Sequence, residues 1–161
     1  MSENLISIFL KPGKDQSIKR FHPWVFSGAI SKIHGKVDEG DLVVVYSAQK
    51  EFLCIGHYQI GSIAVRIISF ENVAVDAKFW KSKLQNAYNV RCALGLTNNQ
   101  ETNAFRLVHG EGDGMPGLII DFYNGTAVLQ MHSIGMYLIR HQLADLLKDE
   151  KNIEVRIRKM K

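Results

Sequence analysis

The sequence predicts a mixed architecture, a small N-terminal β-barrel over residues 1–74 followed by a small α+β domain over residues 75–161. Three observations carry this. In the first half, turn residues recur about every 8–12 positions between short apolar, β-branched runs, the pattern of a small barrel or sandwich. Near Val73 to Val75 the apolar spacing changes from strand-like runs to a repeat of three or four. Apolar residues make up 46% of the 161, enough to bury a core and too many for a disordered chain.

Leu5 to Leu10 reads as a first strand and Gln16 to Arg20 as a short helix. Val43 to Tyr46, Phe52 to Tyr58 and Ile63 to Ile68 read as three further strands. Gly35, Gly40, Gly56 and Gly61 stand where turns or bulges would bend such strands into a closed sheet. Asp76 to Gly95 reads as a helix, with Asp76 as its cap and Gly95 at its end. Phe79, Trp80, Leu84, Ala87, Tyr88 and Arg91 share one face of it. A polar loop, Thr97 to Asn103, leads to strands at Phe105 to His109, Leu118 to Tyr123 and Thr126 to His132. Asn124-Gly125 is a two-residue hairpin signal that needs positive φ at both positions. Tyr137 to Leu147 reads as a helix with Ile139, Leu143, Leu146 and Leu147 inward, and Ile153 to Arg158 alternates as a last strand.

The net charge of +4 is modest but unevenly placed. Lys11, Lys14, Lys19, Arg20, Lys32 and Lys36 meet a single acid, Asp15, so residues 11–36 carry +5. From Val37 to Val75, Lys50 and Arg66 meet five acids. A local excess of this kind is either a solvated basic face or the footprint of a polyanion-binding patch. Lys19-Arg20-Phe21-His22-Pro23-Trp24-Val25-Phe26 sets cations beside rings. Cations contact phosphates, and exposed rings stack bases. Trp24 and Phe26 are expected in the barrel core. That leaves Lys11, Lys14, Lys19, Arg20, His22, Lys32 and Lys36 as the RNA-contact candidates.

Val108 to Asp121, VHGEGDGMPGLIID, invites three chemical readings. A phosphate cradle needs its glycine turn to open into a helix, yet Pro116-Gly117 leads into an apolar strand. A calcium loop needs regularly spaced oxygen ligands, and Glu111, Asp113 and Asp121 match no such spacing. An acid/base pair of Glu111 and Asp113 has no partner nucleophile. The loop therefore reads as a connection between two strands. Histidines 22, 34, 57, 109, 132 and 141 show no metal-ligand spacing. His109 and His132 flank the expected hairpin, where they could face each other, and read as packing or surface residues. Cys54 and Cys92 read as reduced core thiols. No catalytic, cofactor-binding or metal-binding residue is assigned. No apolar run is long enough for a membrane helix, and MSENLISIFLKPGKD lacks the basic opening of a signal peptide. A soluble cytoplasmic protein is expected.

Two stretches together resemble a known family. LKPGKDQSIKRFHPWVFSGAI resembles the start of a PUA domain, a small RNA-binding β-barrel. FRLVHGEGDGMPGLIIDFYNGTAVLQ resembles the central segment of PUA-containing, S-adenosylmethionine-dependent methyltransferases of the large-subunit ribosomal RNA methyltransferase I type. The resemblance covers essentially the whole chain. It implies a PUA-like barrel over 1–74, a central α+β domain over 75–161, and a C-terminal Rossmann-like methyltransferase domain that this chain lacks. It also implies methylation at C5 of a cytosine in 23S ribosomal RNA by the parent protein, with S-adenosylmethionine as its cofactor. The family's catalytic cysteine belongs to that further domain, so neither Cys54 nor Cys92 inherits the role. The chain is thus expected to be the RNA-binding, substrate-orienting portion of such an enzyme, without a cofactor of its own. RNA and a second copy of the chain, as a homodimer, are the expected partners, and no membrane is. Two other readings stand beside it: a free-standing RNA-binding adaptor, and a protein-interaction module whose basic patch meets acidic partners.

Overall fold

The computed structural model of the chain describes residues 6–151 and 154–158. Leu5 and Ile153, the expected first residues of two strands, lie outside the described residues. The chain divides into two compact units, Met1–Ala74 and Val75–Lys161.

The first unit is a six-stranded sheet. Its strands are β1 (Ile6–Leu10), β2 (Trp24–Phe26), β3 (Ile30–His34), β4 (Leu42–Tyr46), β5 (Phe52–Tyr58) and β6 (Ile63–Ser69), in the order β2-β6-β5-β4-β1-β3. β1 runs parallel to β4, and every other pairing is antiparallel. A one-turn helix, α1 (Gln16–Lys19), follows β1. The core gathers Ile8, Leu10, Ile18, Val25, Val43, Val45, Leu53, Cys54, Val65 and Ile67. At Gly56 the β5–β6 register shifts, and a Cβ there would strike the backbone carbonyl of Arg66 and the side chain of Val65. Glycine lets these strands approach closely, as a bulge position requires.

Two expectations fail in this unit, and two strands go unread. The sheet curls, but its ladder does not close. β2 has three residues, and Ser27–Ala29 then coils into a 3-10 turn, so β2 and β3 follow each other round a corner instead of pairing. β2 and β3 themselves were not read from the sequence: β2 is short, and β3 (ISKIH) has only two apolar residues. Trp24 and Phe26 are not core residues. Val25 is 1% exposed, whereas Phe26 is 45% exposed and Trp24 half-buried. Neighbours in a strand face opposite sides, so a buried Val25 sends both rings outward.

The second unit packs helices on one mixed sheet. Its elements are α2 (Ala77–Ala93), β7 (Ala104–His109), β8 (Leu118–Tyr123), β9 (Thr126–Met131), α3 (Ile134–Leu138), α4 (Arg140–Lys151) and β10 (Glu154–Ile157). The sheet order is β10-β9-β8-β7. β7, β8 and β9 form an antiparallel meander, and β10 joins β9 in parallel after the helical crossover. Asp76 caps α2 by accepting from the Phe79 amide at 2.9 Å, a bond that satisfies one of the helix's open amides. Asn124 and Gly125 have φ of 43° and 86°, as a two-residue hairpin turn requires. The expected helix Tyr137 to Leu147 is two helices. Ser133 starts the first by accepting from the Met136 amide at 3.4 Å, and the chain leaves helical geometry at Ile139. The Tyr137 carbonyl accepts from the Ile139 amide at the break and from the Arg140 side chain at 2.7 Å.

The cysteines separate. Cys54 is buried, and burial pushes its thiol up to about 12. Cys92 lies exposed on α2, not in a core. It follows Arg91 on the helix, so it turns away from the buried stripe. In the native chain a maleimide at neutral pH should label Cys92 rapidly and leave Cys54 unmodified. Mass spectrometry of timed samples reads this, and equal labelling of both would refute the burial of Cys54.

His57 is 4% exposed, and burial pushes its imidazole down to about 4 from the ordinary 6.5. The unfolded chain takes up this proton below about pH 6.5 and the folded one only near pH 4. Stability from this group is complete above pH 6.5 and falls as the pH drops toward 4, by up to about 3 kcal/mol. Urea denaturation at the two ends of that window should show the loss, and His57→Asn should flatten it.

Candidate nucleic-acid interface

The basic segment 11–36 contains α1, β2, the 3-10 turn and β3 of the first unit. Six of the seven candidates, Lys11, Lys14, Lys19, Arg20, Lys32 and Lys36, are exposed, and His22 is half-buried. Lys14 and Arg20 mark the two ends of α1, while Lys32 lies on β3 and Lys36 just beyond it.

Their charges are not equally available. Lys11 staples the end of β1 to the turn at 27–29, its amide donating to the Ala29 carbonyl and its Nζ to the Gly28 carbonyl, each at 2.9 Å. Lys19 bridges Asp15 at 2.6 Å and Glu51 at 3.2 Å. The hydrogen bond with Asp15 holds Lys19 above its ordinary range and Asp15 below its own. Lys32 sits over the Phe9 ring, its Nζ 5.1 Å from the centroid. His22 places Nδ1 within 3.3 Å of the Trp24 amide nitrogen and 3.2 Å of the Trp24 carbonyl. Lys14, Arg20 and Lys36 are the candidates whose exposed charge lies nearest to solvent alone.

The rings form a feature the sequence reading missed. Phe9 on β1 stacks on Tyr46 of β4 at 5.3 Å, Tyr46 meets Phe52 of β5 edge-on at 6.4 Å, and His34 of β3 meets Phe9 at 5.1 Å. Half-buried Phe9, Tyr46 and Phe52 and exposed His34 run across four adjacent strands on the face opposite Ile8, Leu10 and Val45. The available signal was period two: each ring lies next to a core residue in its strand. On the outward side of β2, His22, Trp24 and Phe26 stand within 5.7 to 6.3 Å of one another.

The loop from Val108 to Asp121 is a latched corner. Residues Gly110–Asp113 form a 3-10 turn, Gly114 is left-handed at φ 66°, and the chain enters β8. Arg91 of α2 donates both terminal N–H groups to Asp113, Nη2 to Oδ2 at 2.8 Å, and donates Nε to the Arg106 carbonyl at 2.8 Å. Asp113 also accepts from the His109 amide at 2.6 Å. The sequence reading missed this pair, although Arg91 had been placed on the apolar face, where a charge needs a carboxylate. His109 and His132 do not face each other, because β8 runs between their strands and pairs His109 with Ile119. Asp121 accepts from Arg106 of β7 at 2.8 Å and from Gln130 of β9 at 3.2 Å.

Among the described residues, no cluster of three or more His, Cys, Asp or Glu could hold a metal ion. No helix of the described residues is long and apolar enough to cross a membrane. The glycine turn does not fit a nucleotide cofactor, since it opens into a strand and its Asp113 is bound to Arg91. The second unit has a cleft of about 250 Å³ lined by Leu84, Tyr88, Phe105, Leu107, Phe122 and Leu147 among others. Its lining is mostly apolar, with Lys81, Gln85 and Thr97 as its polar members.

Comparison with known proteins places these features. Residues 8–70 match the model of a PUA-like domain. A protein of Alteromonas mediterranea named ribosomal RNA large subunit methyltransferase I is 38% identical over 130 residues, which cover 80% of this chain and 32% of that protein. The chain thus spans about a third of the length of the curated relatives it matches. A solved Streptococcus mutans chain, described as a SAM-dependent methyltransferase, superposes with a TM-score of 0.78 at 18% identity, over 96% of this chain and 41% of its own. A second, SMU.776, a methyltransferase complexed with SAH, gives 0.79 at 18% over 96% and 40%. At that identity the two structures speak for the fold.

The pair Arg91–Asp113 is buried. Their side chains are 11% and 7% exposed, so removing one partner strands the other charge. Asp113→Ala should cost about 3–5 kcal/mol in urea denaturation, and adding Arg91→Met should restore part of it. A cost near zero for Asp113→Ala would show that the corner is not held by this pair.

Proposed function

We propose, on the premise that residues 8–70 are a PUA-like domain and that the chain is a homologue of proteins named ribosomal RNA large subunit methyltransferase I, that it is the RNA-binding portion of a ribosomal RNA methyltransferase. The observation that carries this reading is the exposed basic segment 11–36 on the PUA-like unit. Its cations meet the phosphate backbone, which supplies affinity and little sequence choice. The second unit, built round its latched corner, serves as spacer or second RNA surface.

The finer reading comes from the resemblance. The whole protein uses S-adenosylmethionine and methylates C5 of a cytosine in 23S ribosomal RNA, and this portion orients the substrate. By the same resemblance, the cofactor site belongs to a further domain.

The patch has an internal ranking that salt titration reads. Removing one cation from its phosphate lowers the slope of log affinity against log salt by about 0.7–0.9. Lys14→Ala and Arg20→Ala should each weaken RNA binding and reduce the slope by about that amount. Lys19→Ala should change it far less, because Asp15 and Glu51 already neutralise the ammonium. The triple variant at Lys14, Lys19 and Arg20 should flatten the slope most. An unchanged slope in that triple variant would show that the RNA lies elsewhere.

A further inference from the structure

Phe21 occupies a position made for glycine. Its φ is +63°, a region bulky side chains rarely adopt. The Phe21 amide donates to the Ile18 carbonyl at 2.8 Å and the His22 amide to the Ser17 carbonyl at 3.0 Å. Those two bonds close a helix through a left-handed residue, usually glycine. The ring does not repay the strain by burial, for Phe21 is 72% exposed. Its ring contact is edge-on with Phe70 at 5.2 Å, which fixes its direction. Arg20 precedes it, and Lys14 stands at the other end of α1, both exposed.

We propose that Phe21 is a stacking site for an unpaired RNA base, with the adjoining Arg20 holding a phosphate beside it and Lys14, at the far end of α1, a further one. This rests on the RNA-binding reading above and adds the class of RNA. A base inside a duplex has no free face to offer, whereas an unpaired base can lie on a ring. A phenyl ring carries no hydrogen-bonding group, so the contact accepts any base. Strain retained at an exposed aromatic that directly follows an exposed cation is what a preset stacking site needs, and a turn alone does not.

The test compares two labelled RNAs of equal length, one single-stranded and one fully paired, binding to the full chain by fluorescence anisotropy. Phe21→Gly should lose about 10-fold in affinity for the single strand, keep its affinity for the duplex and its salt slope, and melt no lower than the unmodified chain. Phe21→Leu, which keeps bulk without a ring, should lose the single-strand preference as well, and Phe21→Trp should retain it. If Phe21→Gly binds both RNAs as the unmodified chain does, or loses both alike, the stacking role is overturned while the basic patch stands. If the unmodified chain binds neither RNA, both readings fall together.

Discussion

Arg91 sets a guanidinium on the α2 face that also carries Trp80, Leu84 and Ala87, and the β7 side of the second unit is arranged to meet it. A charge in that position is tolerable only with its donors matched. Asp113 takes the two terminal N–H groups and the Arg106 carbonyl takes Nε. To present Asp113 there, the chain must leave β7 in a tight 3-10 turn and pass through a left-handed residue, which Gly114 provides. Met115 follows, fully buried, and seats the turn on the core. The glycines and the acid that made the loop look chemical are the means of feeding a carboxylate back to a helix.

That constraint marks where sequence reasoning succeeded and where it stopped. Periodicity registers burial, so it found β4, β5, β6 and the face of α2, while turn chemistry found the hairpin at Asn124-Gly125. It does not register a strand whose inward residues are few, so β2 and β3 were missed. With β2 unseen, Trp24 and Phe26 were assigned by hydrophobicity alone, and that placed them in the core. Tertiary pairing lies beyond periodicity altogether. Arg91 was seen on the right face and Asp113 in the right loop, but 22 residues separate them and no local pattern joins them.

The candidate interface shows the same limit in electrostatics. Counting charges along residues 11–36 treats every lysine as equal. In the fold, Lys11 is spent on a backbone carbonyl and Lys19 on two carboxylates, one of them from the β4–β5 turn. The usable positive field is therefore narrower than the composition suggests, and it is centred on fewer side chains. The rings follow a complementary rule. Outward positions of β1, β4 and β5 hold aromatics where polar residues would suffice, giving the outer sheet face an apolar strip beside its cations.

The parallel pairing of β10 with β9 also sets an order in time. Glu154 and Thr126 are neighbours across these strands yet lie 28 residues apart in the chain. The meander of β7, β8 and β9 is complete once residue 131 is made. At synthesis rates of about 5–20 residues per second, the edge of β9 waits on the order of seconds for its partner. During that interval the growing chain carries an open strand edge, which closes only when the crossover through α3 and α4 delivers β10 to it.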